Sequence, residues 1–157
     1  MHRHRLFQFS AAILASVAVA AAQTELTLPD GENAWTVHVV TTGGLFGNVS
    51  QDLTIASDGK IECAMPQTPC PKQPDMTKLR SLVETLPEQS ILVTQPAPPN
   101  VLCNDCLTRT IVIRRRDSTG LVKSYSAQWN DVTKNSVPPQ ILQIYDAVIA
   151  LQKVIAR

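Results

Sequence analysis

Two separate blocks of alternating apolar and polar residues restrict this chain to folds built on antiparallel β-sheet. The first block predicts strands at Ala34–Thr42 and Val49–Ala56. Asp58-Gly59 then predicts a hairpin turn into a short strand at Lys60–Ala64. The apolar residues expected to face the interior are Trp35, Val37, Val39, Val49, Leu53 and Ile55.

The second block predicts a longer hairpin, Leu107–Arg116 and Leu121–Trp129, joined by a short polar turn. Each block is followed by apolar residues at helical spacing. One helix is predicted after Asp75, a candidate N-cap, and the other after Pro138-Pro139. The predicted inward residues are Leu107, Ile111, Ile113, Leu121, Tyr125, Ala127 and Trp129 in the hairpin, Met76, Leu79, Leu82, Val83 and Leu86 in the first helix, and Ile141, Leu142, Tyr145, Val148, Leu151 and Ile155 in the second.

The order of these elements, ββ(β)αββα, predicts an α+β fold. We expect an antiparallel β-sheet built from hairpins, with two α-helices packed on one face. Proline-rich loops surround the first helix, and Ser90–Val93 is a candidate brief extended segment. We expect a single domain over 23–157, with its core at about 34–155.

The N-terminus predicts export. The first residues are cationic, and Leu6–Val19 is apolar and uncharged. Small residues follow at Ala20–Ala22, so residues 1–22 are interpreted as a signal peptide cleaved before Gln23, with the Ala20–Ala21 bond as the alternative. An uncleaved anchor is the other interpretation, but the apolar run is shorter than the ~20 residues that a span needs. The mature domain is therefore expected to be secreted or periplasmic, and not membrane-bound.

The charge balance argues against nucleic acid as a partner. Loss of Arg3 and Arg5 with the signal leaves 12 of the 14 basic residues against 13 acidic ones. A net charge near neutrality gives no general attraction for nucleic acid or anionic membrane. Arg114–Arg116 is interpreted as a solvated hairpin end, since alternation sends Arg115 to the opposite face from its neighbours.

Four cysteines remain in the mature chain: Cys63, Cys70, Cys103 and Cys106. An even number in an exported chain favours two disulfides, for which three connectivities exist. Local pairing, Cys63–Cys70 and Cys103–Cys106, is the preferred prediction. Zinc or redox chemistry is the alternative, but the residues after Cys106 predict a strand rather than the helix that lowers a thiol pKa.

Catalytic groups are scarce. His38 is the only histidine of the mature chain, and it lies within a predicted strand. There is no HExxH, no GxSxG, no phosphate-binding glycine loop and no dinucleotide fingerprint. The sequence therefore predicts a protein that is not an enzyme and that has no metal and no cofactor.

The segment Gly43–Asn48 places two apolar residues between glycines in a predicted turn. Apolar side chains at a turn either fold back onto the core or face a partner molecule. Both interpretations stay open from the residues alone.

In this arrangement the chain resembles the emfourins, small bacterial inhibitors of thermolysin-like metalloproteases. The matching segments are 42–47 (TGGLFG), which is similar to the family's GGF-x-G turn, and 79–83 (LRSLV) in the helix. They continue with 105–113 (DCLTRTIVI) in the second hairpin and 138–142 (PPQIL) at the last helix. The resemblance covers about Trp35 to Leu151, and Arg109 stands where the family strand has an aromatic residue.

The resemblance implies a secreted inhibitor whose turn and adjacent loops occupy the cleft of a secreted metalloprotease. A non-catalytic periplasmic or extracellular interaction module is the alternative function. The residues implied in partner binding are Gly43, Gly44, Leu45, Phe46, Gly47, Asn48 and Arg109.

Overall fold

The computed structural model describes residues 27–43, 48–64, 70, 75–87, 89, 92–94 and 106–153. Six strands, two α-helices and a 3₁₀ turn lie within these residues. In chain order they are β1 (Trp35–Gly43), β2 (Asn48–Ala56), β3 (Ile61–Cys63), α1 (Thr77–Glu84), β4 (Leu92–Thr94), β5 (Thr108–Arg116), β6 (Val122–Trp129), the 3₁₀ turn (Lys134–Ser136) and α2 (Pro139–Lys153).

The strands form one sheet in the order β3-β2-β1-β5-β6-β4. The first five of these strands pair antiparallel with their neighbours. The predicted α+β fold, an antiparallel sheet with two helices, is therefore confirmed in the described part of the chain. α1 begins at Thr77, and its N-cap residue is Met76 rather than the predicted Asp75. Asp75 lies one residue before the N-cap, and its Oδ1 accepts the N–H of Thr77 at 3.0 Å.

The core lies between the helices and one face of the sheet. Val37 of β1 pairs with Ile55 and Ile113 on the two neighbouring strands, so all three side chains project to the same side. All three are fully buried. The helices complete this core with Leu79, Val83, Ile141, Ile144 and Val148.

Val49 was expected in this core, and the structure contradicts that expectation. The strand register shifts between Thr41 and Thr42, which is a β-bulge, and Val49 therefore pairs with Thr42. Thr41 is on the buried face, so Thr42 and Val49 are on the other face. Val49 is 39% exposed.

Leu121 was likewise expected in the core and is 62% exposed. It precedes the first residue of β6, in the turn that connects β5 to β6. Alternation along β6 does bury Tyr125, Ala127 and Trp129. The pattern therefore holds along the paired strand and fails in the turn.

β4 is the one strand that pairs in parallel, along β6. It corresponds to the predicted brief extended segment, although its direction was not predicted. Tyr125 donates its hydroxyl proton to the carbonyl of Pro87, just after α1. Pro87 thus lies beside Tyr125 in the middle of β6, and β4 pairs onward from Ser126 to Gln128.

Arg115 holds the C-terminal end of α1 against the sheet. Its side chain points into the core face, opposite to Arg114 and Arg116, as alternation predicts. It is only 5% exposed, so the interpretation of Arg114–Arg116 as a solvated hairpin end is wrong at Arg115. The Nη1 group donates to the carbonyl oxygens of Val83, Glu84 and Leu86 at 3.2, 2.7 and 3.1 Å. A cation at a helix C-terminus is favoured by the helix dipole as well as by these hydrogen bonds.

Asp117 organises the turn between β5 and β6. Its Oδ1 accepts the Thr119 hydroxyl at 2.6 Å and the backbone N–H groups of Thr119 and Leu121, each at 2.9 Å. The Thr119 hydroxyl is the main cause that lowers the pKa of Asp117 below its ordinary value of 3.8. Because the folded pKa is the lower one, the ionised carboxylate stabilises the fold above pH 3.8, and this contribution is lost as the pH falls below that value.

We expect Asp117→Asn to destabilise the domain more at about pH 6 than at about pH 3, because the wild-type advantage disappears on protonation. Urea unfolding of both proteins at the two pH values measures this difference. Asp58→Asn, at an exposed aspartate of the β2–β3 turn, is the control. A stability difference that is the same at both pH values would contradict the expectation.

Candidate protein-binding site

The predicted site residues that the structure describes lie at one end of the sheet. At this end β1 passes into β2, β5 begins and β6 ends, and we call it the turn end. Gly43 pairs with Asn48, and Arg109 pairs with Thr41 two residues earlier on β1. Gly44, Leu45, Phe46 and Gly47 lie outside the described residues. The structure thus describes the base of the turn and its surroundings.

Gly43 is packed against the backbone that leads into β5. Its φ is +145°, and a Cβ atom there would lie 2.6 Å from the carbonyl oxygen of Cys106 and 2.9 Å from Cα of Leu107. No other residue type fits such a contact without a backbone shift. The base of the turn is therefore held by a backbone-to-backbone contact that requires glycine.

Arg109 connects β5 to the loop that follows β6. Its Nη1 lies 2.7 Å from Oδ1 of Asp131 and 3.4 Å from the carbonyl oxygen of Leu107. The Arg109 side chain is 21% exposed, whereas Asp131 is 61% exposed. Arg109 therefore lies at the turn end, with its guanidinium paired to a carboxylate of the same domain.

The loop Asn130–Thr133, which follows β6, is an ordered hydrogen-bonded turn. Asn130 Oδ1 accepts the backbone N–H groups of Val132 at 3.0 Å and Thr133 at 2.9 Å, and the Thr133 hydroxyl at 3.1 Å. Thr133 Oγ1 in turn accepts the N–H of Asn130 at 3.0 Å. The signal for this turn is the Asn-x-x-Thr spacing, in which both side chains can bond nearby backbone.

A polar network joins the turn end to α2. The Thr41 hydroxyl donates to Oε1 of Gln51 at 2.9 Å, and Gln51 Nε2 donates to Oε1 of Gln152 in the last turn of α2. Thr41 is buried and both glutamines are half-buried. Beyond the last apolar side chains of the core, the same side of the sheet therefore carries these hydrogen-bonded polar groups.

The first predicted disulfide is confirmed, since Cys63 and Cys70 are bonded. Cys106 is also in a disulfide. Cys103, its predicted partner, lies outside the described residues. The bonded cysteines close a loop beside the edge strand β3 and place a second cross-link next to Gly43.

His38 lies on the sheet face opposite the core, and its Nε2 is 2.9 Å from Oδ1 of Asp52. Both side chains are 24% exposed. In the adjoining strands, Thr54 and Val112 flank His38. Neither α1 nor α2 packs on this face, which also carries Arg114 and Arg116.

No group of three or more histidine, cysteine, aspartate or glutamate side chains suited to holding a metal ion occurs in the described part of the chain. Among the same residues, neither helix has the length and apolar character that crossing a bilayer requires.

Fold and site together define this protein as a small disulfide-bonded α+β domain, with a structured turn end as its candidate protein-binding site. No protein-family model matches the chain. Comparisons with curated proteins and with solved structures likewise return no significant match.

Proposed function

We propose that the mature domain is an exported, non-catalytic inhibitor of a thermolysin-like metalloprotease, in which the segment Gly43–Asn48 occupies the protease cleft. One observation carries this proposal. Gly43, the first residue of this segment, is packed directly on the backbone of Cys106 and Leu107. The resemblance of segment 42–47 to the emfourin turn supports it.

A fixed base makes the turn suitable for binding. A loop that is ordered before association loses less conformational entropy when it binds, so more of its contact energy appears as affinity. Pairing of Gly43 with Asn48, contact with residues 106–107 and the neighbouring disulfide restrict both ends of the segment. Leu45 and Phe46 are the proposed apolar contacts with the substrate subsites of the protease.

A predicted signal peptide supports the same function, because thermolysin-like proteases act outside the cytoplasm. Disulfides form and persist in oxidising compartments, and the structure contains the Cys63–Cys70 bond. We therefore propose that the inhibitor is secreted or periplasmic.

Inhibition of a purified thermolysin-type protease by residues 23–157 tests the function. We expect Phe46→Ser to raise the inhibition constant by about tenfold or more, as removal of an apolar hot-spot side chain does at an interface. Leu121→Ser is the matched control, because Leu121 is an exposed apolar residue at the opposite end of the sheet. We expect this control to inhibit like the wild type.

Unchanged peptide cleavage at micromolar excess of the wild-type domain would overturn the proposal. Mass spectrometry of the mixture excludes the trivial case in which the domain is only a competing substrate.

The alternative function is a secreted interaction module with no protease target. The sheet face on which neither α1 nor α2 packs favours it, since Val40, Thr110 and Val112 there are only half-buried beside the His38–Asp52 pair. In affinity capture from the host's secreted fraction, Thr110→Arg would then abolish recovery of the partner and Phe46→Ser would not. The inhibitor function predicts the reverse.

A further inference from the structure

We infer that the protein forms a symmetric dimer through the face of its sheet opposite the helices, which we call the outer face. This is the face that carries His38, Val112 and Arg116. Its occupant is a second copy of the same chain, and the strands of the two sheets cross at about 90°. The inference does not depend on the proposed inhibitor function, and it gives this face a different occupant from the one that the alternative function requires.

Opposite charges lie at opposite corners of the outer face. Glu62 lies on β3, and Arg116 is the last residue of β5. One row of paired residues crosses the sheet from β3 to β5: Glu62, Thr54, His38 and Val112. Arg116 follows Val112 by four residues on the same strand. Glu62 and Arg116 are therefore about 14 Å apart across the sheet, at three strand spacings, and about 13 Å apart along it.

Both charged groups can accept a partner from outside the chain. Ile61 and Cys63 pack against the core, so Glu62 between them faces outward. Glu62 pairs with Lys60 at 2.9 Å, but both side chains are exposed, and such a surface ion pair contributes little. Among the described residues no carboxylate pairs with Arg116, and its Nε is buried there without a hydrogen-bond acceptor. A carboxylate from a second copy therefore supplies what this guanidinium lacks.

The positions of these two charges are self-complementary. Because their two offsets are nearly equal, the line from Glu62 to Arg116 runs at about 45° to the strands. A twofold axis in the plane of the interface, perpendicular to this line, places Glu62 of each copy on the partner's Arg116. The same rotation turns the two sets of strands about 90° apart, which is the orthogonal arrangement of packed sheets. A partner of another kind requires no such match between two corners of one face, so the charges favour a second copy.

An apolar residue lies at the centre of the proposed interface. Val112 is about 13–14 Å from both Glu62 and Arg116, so it lies on the twofold axis and meets the same residue of the second copy. It is only half-buried in the single chain. His38 beside it is 2.9 Å from Asp52, so this polar pair keeps its hydrogen bond when water is excluded. The outer face thus combines an apolar centre with charges at its margin, as protein interfaces commonly do.

The sheet is large enough for this contact. Its four long strands have eight or nine residues each, and they are therefore about 26–30 Å long. Side by side they give about 500 Å² of face per copy, and the two short edge strands widen the sheet to about 29 Å. Because the sheet is about as wide as it is long, two crossed copies still overlap over most of the face. Together they cover about 1,000 Å² or more, the area that a specific interface needs.

Two charge-reversal variants, Arg116→Glu and Glu62→Arg, test the inference by analytical ultracentrifugation. We expect residues 23–157 to dimerise, and each variant alone to have a dimer dissociation constant about tenfold higher or more, because like charges then meet at both symmetric contacts. An equimolar mixture of the two variants should form a heterodimer within about threefold of the wild-type dissociation constant. In that mixture one copy contributes two carboxylates and the other contributes two guanidinium groups.

Glu84→Arg is the matched control for the mixture. It makes the same change in net charge as Glu62→Arg, but on the exposed surface of α1, which packs on the other side of the sheet. Mixed with Arg116→Glu, it should not restore the dimer. Heterodimer formation with Glu84→Arg would show that net charge alone drives association, and would overturn the inference.

A substitution at the twofold axis tests the apolar centre. We expect Val112→Asp to raise the dissociation constant of the dimer by about tenfold or more, since two carboxylates then meet without a partner. Val132→Asp, at an exposed valine in the loop after β6, is the control and should stay within about twofold of the wild type. Circular dichroism establishes that each variant is folded.

Two results would contradict the dimer. A wild-type domain that stays monomeric up to about 0.5 mM shows that the outer face does not bind a second copy. A wild-type dimer whose dissociation constant is unchanged in Arg116→Glu and Glu62→Arg shows that the copies associate through another surface. None of these measurements involves a protease, so their outcome is separate from that of the inhibitor proposal.

Discussion

Gly43→Ala is expected to destabilise the domain by about 3 kcal/mol or more and to weaken protease inhibition beyond the loss of folded protein. Two costs combine. The backbone φ of +145° is a conformation that residues with a side chain rarely adopt. The added Cβ also meets the carbonyl oxygen of Cys106 at 2.6 Å, and backbone on both sides of this contact belongs to paired strands or to a disulfide.

Gly120→Ala separates these two costs. Gly120 has a φ of +84° in the β5–β6 turn, and nothing lies within 4 Å of a Cβ atom built there. This variant therefore has the conformational cost alone, about 1–2 kcal/mol. Chemical denaturation of both variants gives the difference in the free energy of unfolding, and titration of the protease with the folded fraction gives the effect on inhibition.

Equal destabilisation by the two alanines would show that the Gly43 backbone can move away from residues 106–107. The base of the turn would then lack the rigidity on which the proposed inhibition depends.

Arg115→Met has the other large expected effect, a loss of about 3–4 kcal/mol in the free energy of unfolding. Methionine preserves much of the apolar stem but provides no donor for the carbonyl groups of Val83, Glu84 and Leu86. These groups lie at or just after the C-terminal end of α1, where carbonyl groups lack the usual helical partners, although Val83 also accepts the N–H of Leu86 at 3.2 Å. The Arg115 side chain that reaches them is buried. Loss of a buried charged donor leaves their desolvation uncompensated.

The adjacent Arg116 is the natural control for this substitution. Its side chain points to the opposite face of the sheet and is only partly buried. We expect Arg116→Met to change the free energy of unfolding by less than about 1 kcal/mol. Hydrogen exchange adds a local measurement, since the amides of α1 should lose protection in Arg115→Met and keep it in Arg116→Met. If the free energy of unfolding of Arg115→Met lies within about 1 kcal/mol of the wild-type value, α1 is held against the sheet by its apolar face alone.

These two predictions concern opposite ends of the sheet. Gly43 fixes the end proposed to bind the protease, and Arg115 fixes the helix that covers the other end of the core. A combined variant should show additive destabilisation, because the two sites share no described contact. Among the molecules that remain folded, only those with the Gly43 substitution should bind the protease with altered affinity.

Local patterns in the sequence were sufficient for the elements and the buried face. The positions of β1, β2, β5, β6 and both helices follow from periodicity, and so do the buried residues Trp35, Val37 and Val39. The inward direction of Arg115 also follows from alternation. Periodicity succeeds here because, within a regular strand or helix, the direction of each side chain is set by its position along that element.

Features that depend on contacts between distant segments were missed or misplaced. The bulge between Thr41 and Thr42 moved Val49 out of the core, and β4 joined β6 in parallel. The Arg109–Asp131 ion pair joins residues 22 positions apart and was not predicted either. The ordered loop Asn130–Thr133 is a different case, because its Asn-x-x-Thr spacing is a local signal that was not used. Gly43 was recognised as part of a turn, but the atoms that require glycine there belong to residues more than sixty positions away.

The amino-acid sequence alone thus predicted the α+β architecture and its buried face, and favoured the local Cys63–Cys70 disulfide that the structure contains, because each of these depends on composition, short separation in the chain or short-range periodicity. The register at the bulge, the packing of the turn base on Cys106 and Leu107, and the placing of two loops at one end of the sheet came from the assembled fold. Their physical reason is that strand pairing brings together residues far apart in the chain, and no local pattern encodes which of them meet.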